Sequence, residues 1–327
     1  MSKRTYLVTG GTGFIGSALV RRLVKDGHAV RVVDNDLRGD AVRLNDIKGK
    51  FDLVRVDVRD VEKMTDAARG CDSLLHLAAL NGTENFYKRP DLVLDVGVRG
   101  MYGALDAARA AGVREFVLAS SSEAYQTPKT VPTPEDEELK IPDPWNPRYS
   151  YGGSKLISEI MLANYHRDFF ERAMIFRPHN VYGPDMGWEH VLPQFILRAK
   201  EEVARTPSGP VPFAIQGDGT QTRSFIYIDD FIDGVIDVVD KGAHRNIYHI
   251  GTLEELSIRE VAELVVRQFG REPDIRPSEL PAGGTLRRCP DITKLSGLGF
   301  SPKVSMAEGV RRITDWYVAN SERRPAA

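Results

Sequence analysis

Three glycines at positions 10, 13 and 16 follow the apolar run Tyr6-Leu7-Val8 and open the helical pattern Ser17-Ala18-Leu19-Val20-Arg21-Arg22-Leu23. Strand, glycine turn and helix in that order leave few folds open. Glycines let the backbone turn tightly enough to approach a pyrophosphate, whose charge is met by unpaired amides at the helix N-terminus. Gly10, Gly13 and Gly16, with Phe14 and Ile15 between them, are therefore expected to cradle a dinucleotide. Asp34 closes the second β-branched run, 18 residues beyond Gly16. A carboxylate there can accept hydrogen bonds from both adenosine-ribose hydroxyls and would repel a 2′-phosphate. The cofactor expected is thus NAD rather than NADP, although Arg38 close by pulls the other way.

The first half of the chain repeats the strand-helix unit. Ala29-Val30-Arg31-Val32-Val33, Leu53-Val54-Arg55-Val56, Ser73-Leu74-Leu75-His76-Leu77 and Phe116-Val117-Leu118-Ala119 are separated by stretches long enough for helices. This pattern predicts an α/β fold: a Rossmann-like, doubly wound parallel sheet covered by helices on both faces. Asp57-Val58, at the end of the third strand, and Leu77-Ala78-Ala79, at the end of the fourth, are expected to meet the cofactor. Beyond residue 178 the alternation breaks down, and a Pro- and Gly-rich loop, 206–212, precedes a short strand at Phe213-Ala214-Ile215. A smaller C-terminal α/β substrate-binding domain is expected there. Asn246 to Gly251 again has the character of a buried strand, so the expected division is 1–178 with about 221–252 for the NAD-binding domain. Residues from about 179 to 220 and from 253 to 320 would form that substrate-binding domain, with helices at 257–269 and near 305–319 and a short tail at 321–327.

Composition narrows the partners. Lys and Arg number 44 against 46 Asp and Glu, so no charge excess calls for nucleic acid or an anionic membrane. Two cysteines, Cys71 and Cys289, show neither disulfide nor zinc spacing. No metal is expected, and the reading is of a cytoplasmic protein from its first residue.

Tyr151 and Lys155 open a helical stretch, and their i, i+4 spacing puts them on one face. A phenol with a pKa of about 10 in water is pulled toward working pH by a neighbouring ammonium, and can then take a proton from a hydroxyl. Ser120-Ser121-Ser122-Glu123 stands just after the fifth strand, at the carboxyl end of the sheet where such folds bind ligands. A hydroxyl there can share a proton between substrate and tyrosine.

Taken together, these motifs resemble the extended short-chain dehydrogenase/reductase family, in its NAD-dependent nucleotide-sugar epimerase/dehydratase branch. The resemblance covers nearly the whole chain. It rests on Thr9-Gly10-Gly11-Thr12-Gly13-Phe14-Ile15-Gly16, Leu77-Ala78-Ala79, Ser120 to Tyr125, and Tyr151-Gly152-x-Ser154-Lys155. Two further motifs, Arg177-Pro178-x-Asn180-Val181-Tyr182-Gly183-Pro184 and Arg223-Ser224-Phe225-Ile226-Tyr227-Ile228-Asp229-Asp230, extend it into the second half. The resemblance implies that Tyr151 is the acid/base, Lys155 its activator and a ribose ligand, and Ser121 the third member. It implies that Asn180 and Arg223 hold a substrate diphosphate, with Arg288 a further candidate; Asn81, Ser122 and Val191 complete the expected substrate-binding residues. Relatives commonly pair two helices across a dimer axis. The apolar residues of 92–112 and 152–170, among them Leu92, Val93, Val96, Met101, Leu105, Ile157, Ile160, Met161 and Leu162, exceed what one buried face needs, so a homodimer is expected.

Departures from the family pattern leave the reaction open. Gly97 stands where Asn is common, Gln126 where Gly is common, and Asn81 where galactose-type 4-epimerases often carry Lys. Glu123, two residues before Tyr125, matches dehydratases and decarboxylases, whereas many simple epimerases have a small or uncharged residue there. A 4-epimerase is the first expectation. A 4,6-dehydratase or a decarboxylase of a hexuronic acid, each using Glu123, is the alternative, and a non-catalytic dinucleotide sensor is a remote one.

Overall fold

The computed structural model describes residues 3–279 and 286–324. Strands β1 (Thr5–Thr9), β2 (Ala29–Asp34), β3 (Asp52–Arg55), β4 (Ser73–His76), β5 (Glu115–Ala119) and β6 (Arg172–Pro178) alternate with helices. These are α1 (Phe14–Lys25), α2 (Val61–Ala68), α3 (Thr83–Lys88), α4 (Pro90–Leu94), α5 (Gly100–Ala111) and α6 (Ser150–Asn164). After them come β7 (Val181–Tyr182), α7 (Val191–Arg205), β8 (Val211–Gln216), β9 (Thr222–Ser224), β10 (Ile226–Tyr227), α8 (Ile228–Lys241) and β11 (Asn246–Ile250). The chain ends through β12 (Glu255–Ser257), α9 (Ile258–Arg267), β13 (Pro273–Ser278), β14 (Arg287–Arg288), α10 (Thr293–Ser296) and α11 (Met306–Ala319). The last three residues of the expected tail lie outside the described residues.

Among the described residues the central sheet has seven parallel strands in the order β11-β6-β5-β4-β1-β2-β3. The order reverses between β1 and β4, and there the carboxyl ends splay apart to leave a crevice. The return of the chain at residue 246 is part of this sheet: β11 pairs with β6 from Asn246↔Met174 to Ile250↔Pro178. Successive side chains of a strand point to opposite faces. On one face Leu7, Val33, Leu74 and Phe116 pack against Met64 of α2 and Leu105 of α5. On the other, Val8, Val32, Leu75 and Val117 join Leu19 of α1 and Phe231 of α8. This second cluster continues without a polar seam into Phe195, Phe213, Val265 and Ile313 of the C-terminal elements. The C-terminal elements are thereby welded to the sheet.

Two strands are shorter than the apolar runs that encode them. β3 ends at Arg55 because Asp57 turns the chain: its carboxylate accepts from the Arg59 amide at 2.9 Å. β4 gives out after His76: the Leu77 amide still reaches the Thr9 carbonyl at 3.2 Å but shares its proton with Thr9 Oγ1, and the Ala78 amide donates to that hydroxyl at 3.2 Å.

The helical run from Pro90 to Ala111 is continuous but carries a π turn at Asp95–Arg99. Gly97 sits in this turn and faces α6, where Ser158 Oγ donates to its carbonyl at 3.4 Å. A Cβ at residue 97 would lie 2.6 Å from Ser154 Cβ. The absence of a side chain at Gly97 therefore sets how closely α6, the carrier of Tyr151 and Lys155, approaches its neighbour. The same packing corrects one expectation about surplus apolar residues. Val93, Val96, Met101, Leu105, Met161 and Leu162 are buried in the chain's own core, leaving Ile157 and Ile160 of α6 and Tyr102 of α5 exposed.

Gly97→Ala should lower stability by about 1–3 kcal/mol through overpacking, read as a lower urea midpoint at unchanged slope. An unchanged midpoint would mean that α6 moves aside freely.

Candidate active site

The turn after β1 is built for close approach. Gly10 adopts φ +70°, and a Cβ there would lie 2.9 Å from the Ala78 amide nitrogen. A Cβ at Gly16 would collide with the Gly10 carbonyl. Gly13 precedes α1 in extended conformation, so the amides of the first turn, Phe14 to Gly16, point into the crevice without intrahelical acceptors. Opposite them lies Asp34, whose Oδ2 accepts from the Thr12 amide and Oδ1 from the Asp36 amide, both at 3.0 Å. Gly10, Gly13, Phe14, Ile15, Gly16, Asp34, Val58, Leu77, Ala78 and Ala79 line one cavity of about 480 Å³.

Not every expected cofactor residue reaches it. The Asp57 carboxylate is taken up by Arg59 at 2.6 Å and Asn35 Nδ2 at 2.8 Å, and Arg59 holds it down to about 2. Val58 and Asn35 line the cavity; Asp57 braces them from behind. Arg38 crosses the cavity to the Asn81 carbonyl and so is not held beside Asp34. The cradle that side chains would fill, the anchored carboxylate and the size of the cavity together fit NAD.

The same cavity contains Ser121, Ser122, Glu123, Tyr151 and Lys155. Ser121 caps a short turn, its Oγ accepting from the Glu123 amide at 3.1 Å, and its hydroxyl favours the ionised form of Tyr151. Lys155 Nζ donates to the Ala119 carbonyl at 2.7 Å and lies 5.7 Å from the centre of the Tyr151 ring. The expected lowering of the phenol pKa by Lys155 is not what this site does by itself. Burial pushes Tyr151 up to about 12 despite the Ser121 hydroxyl, and burial pulls Lys155 down to about 8. An apolar wall is the reason: Phe86 of α3 stacks on Tyr151 with ring centres 5.2 Å apart. No periodicity in the sequence marks Phe86 as a site residue.

Glu123 and Arg288 were expected to play separate parts, yet they meet across 165 positions: Arg288 Nη1 donates to Glu123 Oε1 at 2.7 Å. The Arg288 guanidinium holds this carboxyl below the usual range, with Arg148 and Arg223 adding to it. Strand pairing explains the arrangement, since β14 lies parallel to β9 with Arg288 opposite Arg223. Burial and the Arg288 charge pull Arg223 down to about 10. Asn180, at φ +42°, donates from Nδ2 to the Ser224 carbonyl at 2.7 Å and lines the cavity with Asn81 and Arg288. Val191 opens α7 and packs on the core, while its neighbour His190 faces the cavity. Gln126, at φ +56°, takes the left-handed conformation that a glycine would adopt without strain and donates from Nε2 to the Glu123 carbonyl at 2.6 Å. Among the described residues no His, Cys, Asp and Glu group is arranged to hold a metal ion.

Because Asp34 faces the cavity and Arg38 is committed to Asn81, purified protein should bind NAD(H) more tightly than NADP(H) in calorimetry. Equal or tighter binding of NADPH would contradict the assignment of Asp34 as the ribose ligand.

Comparison with known proteins agrees with this geometry. The model of the NAD dependent epimerase/dehydratase family matches residues 6–251. The chain is 32% identical over 330 residues to a UDP-glucose 4-epimerase of Mycolicibacterium smegmatis, covering 97% of this chain and 99% of that protein. It is 30% identical over 330 residues to a UDP-N-acetyl-alpha-D-glucosaminuronate decarboxylase of Bacillus cytotoxicus, covering 96% and 98%. Among solved structures, a dTDP-glucose 4,6-dehydratase from Streptomyces venezuelae with NAD bound superposes with a TM-score of 0.85 at 30% identity, over 98% of each chain. From its glycine cradle to its Tyr151/Lys155 helix, the chain belongs to the NAD-dependent epimerase/dehydratase family of extended short-chain dehydrogenases/reductases.

Proposed function

We propose that the protein is a nucleotide-sugar 4-epimerase working through a transient 4-keto sugar, and the observation that carries this reading is the Glu123–Arg288 ion pair. A 4,6-dehydratase needs a base for the C5 proton and an acid for the departing C6 hydroxyl. Glu123 is held ionised by Arg288, and its neighbours Ser121 and Ser122 carry no acidic proton. A 4-epimerase asks for neither group. It needs one acid/base at the C4 hydroxyl and a wall that tolerates either face of the sugar.

Tyr151 takes the C4 hydroxyl proton and later returns it, with Ser121 holding the oxygen in line. Bound NAD supplies the hydride acceptor and donor and brings a positive charge into the cavity. Such a charge favours the phenolate, which burial alone disfavours. Lys155 contributes only while protonated. The gathering of Arg148, Arg223 and Arg288 around a single carboxylate supports an anionic substrate group, and guanidinium forks suit diphosphate oxygens.

The second reading, a hexuronate decarboxylase, is favoured by Arg288 itself. A cation in the cavity wall, already bound to one carboxylate, can exchange it for the carboxylate of a substrate, and a C4 ketone makes that substrate a β-keto acid.

We further read the chain as a cytosolic homodimer. Cys71 and Cys289 are unpaired and buried, as in reducing compartments. Ile157 and Ile160 of α6 and Tyr102 of α5 are exposed apolar side chains that a second copy would cover. Among the described residues no helix is long and apolar enough to cross a membrane.

A panel of UDP-, GDP-, CDP- and dTDP-sugars should yield a product of unchanged mass; loss of water or of CO₂ would replace the epimerase by one of the other two reactions. Tyr151→Phe should lose about 10²- to 10⁴-fold in turnover while still binding NAD, and Glu123→Gln should retain epimerisation with a modest loss. Near-normal turnover by Tyr151→Phe would mean the site has been misplaced. Light scattering at micromolar concentration should give twice the chain mass, and a monomer mass would exclude the dimer.

A further inference from the structure

Helix α6 carries a third buried polar side chain in register with the first two. Glu159 lies four residues past Lys155, as Lys155 lies four past Tyr151, so the three share one helix face. Arg177 clamps the Glu159 carboxylate, Nε donating to Oε1 at 2.8 Å and Nη2 to Oε2 at 2.6 Å. The Ser120 hydroxyl donates to Oε1 as well. Arg177 is fixed from its far side by the Tyr125 hydroxyl and by the Glu135 carbonyl at 2.8 Å. Both charged groups are almost wholly buried, with side-chain exposures of 2% and 5%.

An ion pair this deep is a poor device for stability. Desolvation consumes most of its attraction, and an apolar pair of similar volume often does as well or better. Its place in the fold points to a different use. β5 ends on Ala119, whose carbonyl accepts from Lys155, and the next residue, Ser120, bonds Glu159. Lys155 and Glu159 are thus held to consecutive residues of one strand end. We propose that Glu159, fixed by Arg177 and Ser120, is a positioning residue that keeps the Lys155 ammonium charged and in place beside Tyr151.

This inference rests on the Tyr151/Lys155 reading of the site. Burial pulls Lys155 down to about 8, and Glu159 is the charge that opposes the fall. The other titratable groups near the pair do not replace it. His76, at the end of β4, is pulled down to about 3 by burial and by Lys155 itself, so it is neutral at working pH. Glu123, from the turn after β5, and Arg38, from the loop after β2, bear on Tyr151. Arg177 of β6 faces Glu159.

The test uses the full chain loaded with NAD. In the wild type, turnover should fall above about pH 8 as Lys155 loses its proton. Glu159→Gln should move that limb down by about one pH unit or more, with KM for the sugar unchanged below it. Because this variant strands the Arg177 cation, the double variant Glu159→Gln/Arg177→Met removes both charges, and it should show the same lowered limb. An activity-free readout runs in parallel: NMR titration of isotope-labelled lysine side chains, with Lys155 assigned by difference from Lys155→Met, should move in the same direction. A folded double variant whose limb and Lys155 titration stay at the wild-type pH would overturn the proposal. So would a loss in which KM for the sugar changes as much as turnover at every pH, since that marks general damage. Normal turnover by Lys155→Met would instead sink the Tyr151/Lys155 reading on which the inference stands.

Discussion

Burial of Tyr151 and Lys155 side by side penalises the charged form of both, the phenol being pushed up to about 12 and the ammonium down to about 8. The pair cannot work on proximity alone. Each element around it answers that penalty: the Ser121 hydroxyl favours the phenolate, the Ala119 carbonyl anchors the ammonium, and the charge of Glu159, one turn further along α6, opposes the fall of Lys155. Gly97 lets α6 come close enough for these contacts. Removing water around the pair strengthens every one of them, since electrostatic interactions grow as the local dielectric falls.

At the other end of the cavity, charge is managed by strand pairing. The register of β14 on β9 sets Arg288 against Arg223. Two guanidinium groups in adjacent positions repel, and Glu123 relieves part of that repulsion by accepting from Arg288. The carboxylate on which the choice of reaction turns is therefore part of a cationic cluster rather than an isolated acid. A site of this composition suits a ligand with more than one negative charge.

Local patterns carried most of what could be read from the sequence. The glycine turn, Asp34 and the Tyr151/Lys155 spacing depend on neighbours within a few tens of residues, and the structure brings them to one cavity. The strand at 246–250 was legible from its β-branched and aromatic residues, Ile247, Tyr248 and Ile250. The third strand read too long because Val56 and Val58 are apolar while Asp57 between them turns the chain by bonding the Arg59 amide. Long-range pairings were not legible. Glu123 with Arg288, Arg38 with Asn81 and Phe86 on Tyr151 join residues that no periodicity connects. The apolar residues at 92–112 and 152–170 read as a surplus because sequence does not show how many faces a helix buries, and most of them fill the chain's own core.

The central claim is that one hydride leaves C4 of a bound nucleotide sugar and returns to the same carbon. A substrate carrying deuterium at C4 tests it directly, with the product analysed by NMR and mass spectrometry. The account predicts a C4 epimer that keeps the deuterium at C4 with no change in mass. Deuterium found at C6, or lost from the sugar altogether, would contradict it.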